Sequence, residues 1–285
     1  MDVEEIKSIR SAIREKKIRW SAGRTSLSEL KREERKEYWG LILDEDEMRK
    51  AEARSIEEDA LAASEGITYV YPDEWDWRHV RGRDWTTPVK DQGLCRSCVA
   101  FATVAVIESN YEISRRRPYL NPDLSEADLF FCGGGKRCGR GWKFKPALNY
   151  AKEKGILYEK YFPYKPTNQP CNPCEDRDKK VVKIKDWGEL SSESQAKEWI
   201  HQKGPVITGM EVYEDFVYYR GGIYEHVYGE REGLHAIAVV GYDDRKRYWI
   251  CKNSAGESWG QRGWFRIRYG ECRIGQIYSF FTVMF

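Results

Sequence analysis

The first 66 residues place their apolar side chains thinly among charges. Glu4 to Lys17 and Leu30 to Ala63 are charge-rich and built of residues a helix tolerates. Ser26 or Ser28, followed by Glu29 and Leu30, offers a helix start, and Met48 to Ala63 continues as a polar helix with a narrow apolar face. Such a segment buries little on its own, so it is expected to pack on another surface or to fray. Ser64, Glu65 and Gly66 end the pattern.

From Ile67 the chain turns aromatic and irregular, and Asp91 to Cys95 reads as a turn. Between Cys98 and Ser114 the apolar positions are Phe101, Val104, Ala105, Ile107, Tyr111 and Ile113. Their spacings of three and four predict a buried helix. A second helix is predicted over Lys143 to Lys154, ending near Gly155. After Val181 short strand-like runs alternate with turn residues, and Val206 to Val212 and Ala236 to Val240 read as buried strands. A helical first half before a β-rich second half predicts an α+β fold of two lobes.

Composition narrows the function. The 285 residues, 41% apolar, are enough for a well-buried core. A net charge of +2 gives no support to a nucleic-acid partner. Residues 1–70 hold 14 Lys+Arg against 17 Asp+Glu, a net of −3, which leaves +5 for the rest. That asymmetry predicts an acidic segment docking on a basic body. No run approaches the ~20 apolar residues of a membrane span. The charged N-terminus lacks the apolar core of a signal peptide, so the chain is expected to be intracellular or trimmed of its signal. Eight cysteines, all after residue 94, pull the other way, toward disulfides and an oxidising, extracytoplasmic compartment. The alternative is an intracellular protein of a hyperthermophile, with which the Lys/Arg/Glu-rich composition is compatible.

Three separated features supply a chemistry. Gln92-Gly93-Leu94-Cys95-Arg96-Ser97-Cys98 is a turn leading into the buried helix. A thiol at a helix N-terminus is expected to ionise more readily. His235 opens an apolar strand, and Asn253 follows another. A cysteine nucleophile needs a base, and the base needs an orienting group. His235 lies 137 residues after Cys98 (235 − 98) and Asn253 lies 155 after it (253 − 98), near the separation of roughly 130–150 expected for one such class.

From about Asp76 to Phe285 the chain resembles the papain/cathepsin cysteine peptidases. Supporting matches are Asp76-Trp77-Arg78, Thr87-Pro88-Val89-Lys90, Leu124 to Leu129, Phe162-Pro163-Tyr164, Tyr219 to Tyr224 and Trp259-Gly260. The resemblance implies a two-lobe α+β fold with the site in the cleft between lobes. It implies an inhibitory propeptide over 1–68, a helical lobe over 69–180 carrying the nucleophile, and a β-rich lobe over 181–285 carrying His and Asn. Cys98 is then the thiolate nucleophile and His235 its imidazolium partner. Asn253 orients His235, and Gln92 is the oxyanion donor. Trp259 resembles the indole over the Asn–His pair. Gly141 falls where substrate backbone binds. Trp142, Gly209 and Ile277 fall at or beside the main specificity pocket, which implies a hydrophobic or aromatic residue two before the cut. Implied disulfides are Cys95–Cys138 and Cys132–Cys171, with Cys174 an alternative partner. Cys272 has no evident partner, and Cys251 reads as a buried thiol. Gly23 to Glu29 resembles the Gly-x-Asn-x-Phe-x-Asp element of family propeptides, with only the Gly identical.

Four positions depart from the family: Arg96, Val99, Arg140 and Ala255. With Ala255 in place of an indole, the Asn253–His235 hydrogen bond is expected to be open to water. The family implies peptide or protein substrates, the propeptide in the cleft, a monomer, no cofactor and no metal. Three alternatives stand beside this: a catalytically inactive binding homologue, a transpeptidase or acyl transferase with the same triad, and a four-cysteine zinc site from Cys95, Cys98, Cys171 and Cys174. His79, His201 and His226 read as incidental. Propeptide cleavage is expected within 63–71, an exposed joint between packed units.

Overall fold

The computed structural model describes residues 2–42, 45–135, 137–172 and 174–285. Leu43 and Asp44, inside the predicted Leu30–Ala63 helical stretch, lie outside the described residues. The helices are α1 Asp2–Glu15, α2 Arg32–Arg35, α3 Glu45–Glu65, α4 Cys98–Arg115, α5 Phe144–Glu153 and α6 Glu193–Gln202. The strands are β1 Trp20–Ala22, β2 Glu74–Asp76, β3 Ile156–Leu157, β4 Val181–Val182, β5 Asp186–Leu190, β6 Val206–Tyr213, β7 Tyr219–Tyr224, β8 Arg231–Asp243, β9 Tyr248–Lys252, β10 Trp264–Arg268 and β11 Phe280–Met284.

Two apolar cores account for a two-lobe α+β fold. One gathers α4, α5 and the residues around Leu124 to Phe131. Within it, Val99, Val104, Val106 and Ile107 of α4 are fully enclosed. The other core belongs to the sheet, whose strands run β1-β7-β10-β9-β8-β6-β11-β5, with β2 beside β8. Its centre is the antiparallel pairing of β6 with β8, in which Met210 faces His235 and Gly209 faces Ala236. The strands predicted over Val206–Val212 and Ala236–Val240 lie within this pair, and β8 runs longer, pairing with β6, β9 and β2 along its length. Cys95–Cys138 and Cys132–Cys171 are bonded, and Cys98, Cys174, Cys251 and Cys272 are free thiols. Disulfide closure of loops of this size contributes about 3–4 kcal/mol each in the chain-entropy account. With Cys95 and Cys171 so bonded, the four-cysteine zinc alternative has lost two of its donors.

The N-terminal segment is held by the sheet lobe rather than frayed. Ile6, Ile9 and Ile13 form one face of α1, and with Trp20, Leu27, Tyr38 and Trp39 they join the sheet core. β1 adds an antiparallel strand to the edge of β7. Just beyond it, the Gly23 amide donates to the Tyr218 carbonyl at 2.9 Å and Thr25 Oγ1 to the Val217 carbonyl at 2.5 Å. Thr25 and Ser28 exchange hydrogen bonds in a closed turn. The expected helix start at Ser26 or Ser28 is therefore a docking turn, and α2 begins at Arg32.

The largest departure from the sequence expectation is at residues 39–42. Helix-tolerant by composition, this stretch is extended and crosses between the lobes. Leu41 donates to the Leu234 carbonyl at 3.2 Å and Ile42 to the Trp142 carbonyl at 3.0 Å. Bonds to backbone more than 90 residues away outcompete local propensity.

Candidate active site

Cys98 is the first residue of α4 and His235 sits in β8, one on each lobe. Asn253 follows β9, and its Oδ1 lies 2.8 Å from His235 Nε2. That contact leaves His235 Nδ1 facing the cleft, enclosed and without a hydrogen bond of its own. Gln92 is fixed from behind: Ser254 Oγ donates to its Oε1 at 2.6 Å. Its Nε2 is then directed to the Cys95 carbonyl at 2.7 Å and to the Tyr38 carbonyl at 3.1 Å. The Gln92 amide thus donates to a carbonyl of the N-terminal segment.

That segment closes the site. Burial pushes the Cys98 thiol up to about 11, against the opposing pull of backbone groups of Ala236, Gly40, Val99 and Cys98 itself. Burial likewise lowers His235 to about 4, opposed by the Asn253 hydrogen bond and the Tyr38 backbone. The sequence expectation was a thiol acidified by the helix terminus and paired as thiolate with imidazolium. With water excluded, desolvation outweighs the opposing hydrogen bonds and disfavours the charged form of each partner.

The implied specificity residues surround Leu41. A Cβ at Gly209 would stand 2.5 Å from Leu41 Cδ2, so Leu41 fits there because residue 209 has no side chain. Ile277 is 1% exposed and belongs to the same apolar cluster as Leu41. Gly141 lets the backbone come close, since a Cβ there would lie 2.0 Å from the Gly40 carbonyl oxygen. The hydrogen bonds to that backbone come from Trp142, whose amide donates to the Gly40 carbonyl at 2.8 Å. The Trp142 indole packs on Phe130.

Two aromatic placements differ from expectation. Trp259 is enclosed among Phe216, Tyr219 and Phe265, with ring centroids 4.9–5.7 Å away. The ring against His235 is instead Trp39, edge-on with centroids 5.1 Å apart. The Asn253–His235 bond, expected to be open beside Ala255, is therefore covered: His235 is 0% and Asn253 4% exposed.

Sequence reasoning passed over Trp39, Ser254 and Tyr278. The Tyr278 hydroxyl donates to the Ile42 carbonyl. Ser254 and Tyr278 adjoin residues already singled out. Trp39 gave no signal, since its stretch read as polar helix. Behind Asn253, Lys252 Nζ donates to the Thr87 carbonyl at 2.8 Å, and Lys90 pairs with Glu108 and Glu126 at 3.1 and 2.9 Å. This buried charge cluster ties β9, just before Asn253, to the helical lobe.

Comparison with known proteins bears on the same residues. A family model described as papain family cysteine protease matches residues 71–282. A cathepsin L-like proteinase of Fasciola hepatica is 32% identical over 231 residues, covering 76% of this chain and 68% of the relative. Pro-cathepsin H of Bos taurus is 34% identical over 219 residues, covering 73% of this chain and 63% of the relative. Among solved structures, digestive procathepsin L2 from the larval midgut of Tenebrio molitor aligns with a TM-score of 0.82 at 25% identity, over 100% of this chain and 90% of that one.

Proposed function

Because the chain belongs to the papain family of cysteine proteases, we propose that it is a cysteine endopeptidase held as a zymogen by its own residues 1–68, with the nucleophile on a lobe over 69–180 and the base on a lobe over 181–285. The observation that carries this reading is the path of Tyr38 to Ile42. The segment takes a hydrogen bond from Gln92 Nε2, lies against the thiol and imidazole, and seats a leucine beside Gly209. The two disulfides are consistent with an oxidising compartment. Among the described residues no helix is long and apolar enough to cross a membrane.

Once the segment leaves, water re-enters and the thiol proton passes to His235 Nδ1. The Cys98 sulfur attacks the substrate carbonyl carbon, and the oxyanion takes donors from Gln92 Nε2 and the Cys98 amide. As the C–N bond breaks, His235 returns its proton to the leaving amine. Water then adds to the thioester with His235 as base, releasing the acid and the free thiol. Asn253 holds the imidazole in register throughout. Leu41 marks the pocket for a hydrophobic residue two before the cut.

A fluorogenic dipeptide with leucine at that position tests this, assayed as purified and after mild acid incubation. Turnover is expected only after loss of about 65–75 N-terminal residues, tracked by mass, and Cys98→Ala is expected to lose at least 10³-fold. Loss of the segment with no turnover and no thiol labelling would leave a binding homologue as the better reading.

A further inference from the structure

Glu232 lies in β8, three residues before His235. The Gly209 pocket flanks His235 on the other side, through the pairing of Gly209 with Ala236. The Glu232 side chain has no exposed surface, yet each partner found for it among the described residues belongs to the N-terminal segment. Trp39 Nε1 donates to its Oε2 at 3.1 Å. Arg32 Nε and Arg35 Nη1 stand 3.9 and 4.0 Å from its Oε1. Oε1 accepts no hydrogen bond. The body adds only another carboxylate, Glu214, which itself pairs with Arg32. The adjacent Arg231 does not serve Glu232, since it reaches Glu211 at 3.7 Å. Burial raises the Glu232 carboxyl, while Arg35, the Trp39 hydrogen bond and Arg32 oppose the shift.

Loss of the segment removes all three partners at once and leaves a carboxylate recessed in the cleft wall. An unpaired carboxylate there favours a cation or a strong donor from whatever next enters. Its distance from the reacting centre is set by Trp39, which spans from the imidazole to the carboxylate. Resting on the peptidase reading, which places the acyl half of the substrate on the Gly209 side, we propose that Glu232, with Glu214 beside it, forms a subsite for an arginine or lysine on the leaving-group side of the cut. Arg32 and Arg35 hold that place in the zymogen.

The test uses internally quenched peptides with leucine two before the cut and Arg, Lys, Ala or Glu just after it. The processed protein is expected to cut the Arg and Lys peptides about tenfold more efficiently (kcat/KM) than the Ala peptide, and the Glu peptide least. In Glu232→Gln, close to isosteric, the Arg-to-Ala ratio should fall to within twofold, and Glu232→Asp should keep part of it. Equal rates in the unaltered protein, or an undiminished ratio in Glu232→Gln, would overturn the subsite. If no peptide is cut, the peptidase reading fails separately. Fluorescence anisotropy with the same peptides then decides: tighter binding of the Arg peptide that Glu232→Gln abolishes sustains the subsite, and equal binding overturns it.

Discussion

Gly40→Ala is expected to make the uncut chain active. A Cβ at residue 40 would stand 2.1 Å from the Arg96 carbonyl oxygen and 2.5 Å from its carbon. Neither atom can yield, because the Arg96 amide is bonded to the Cys138 carbonyl at 2.8 Å and Cys138 is disulfide-linked to Cys95. The segment must lift instead. The Gln92–Tyr38 and Trp142–Gly40 hydrogen bonds then lengthen together. α1 and β1 stay docked far from the clash, so the variant should still fold with its propeptide attached. Overpacking of this kind costs about 1–3 kcal/mol, which corresponds to turnover by the uncut chain rising roughly five- to 150-fold. The check is initial-rate turnover of dipeptide, with mass spectrometry showing the chain still intact. A rate equal to the unaltered zymogen's would mean that the inhibitory contact lies elsewhere.

Alkylation of Cys98 should differ by at least 10³-fold between intact and processed chains at pH 7. A thiol pushed up to about 11 is ionised in about one molecule in 10⁴ at that pH. Above neutrality its labelling should climb about tenfold per pH unit. In the processed chain, with imidazolium as neighbour, labelling should be nearly flat across the neutral range. His235 adds a linkage term. Its proton affinity is lowered in the docked state, so between pH 6.5 and about 4 the open state binds more protons. The contribution of His235 to docking is present in full above pH 6.5 and is lost as pH falls, by up to roughly 3 kcal/mol. Glu232, raised by burial, titrates in the opposite sense and offsets part of it. Parallel profiles for the two forms, measured with iodoacetamide and peptide mapping, would show that the segment does not set the state of the pair.

The parts of the site that were legible in the sequence rest on local patterns. α4 announces itself because its apolar residues recur every three or four positions, as a helix face packed on a core requires, and Cys98 stands where that repeat begins. β6 and β8 are read from continuous apolar runs. The crossing at residues 38–42 was not legible. Lys31 to Lys36 are good helix formers, while the partners that extend the chain beyond them are Leu234 and Trp142. Net charge misled in the same way. An acidic segment on a basic body predicts carboxylates of the segment meeting cations of the body, as in Glu37 with Arg96. At the docking face the signs are mostly reversed, with Arg32, Arg35 and Arg54 meeting Glu214, Glu232 and Glu189. A net charge counts every charged residue alike, including exposed ones such as Glu4 and Lys7 of α1 that, among the described residues, meet no charge of the body.

α3 gives the lock a reach. Its 21 residues span about 31 Å between the cleft-crossing strand and the joint at Gly66. Arg54 to Glu189 and Glu58 to Gln195 fasten it along the outside of the sheet lobe. The stretch that follows its far end is exposed, with Val70 70% accessible. A docked chain presents that stretch to its neighbours. If a neighbouring molecule makes the cut there, release should quicken as concentration rises and stall on dilution.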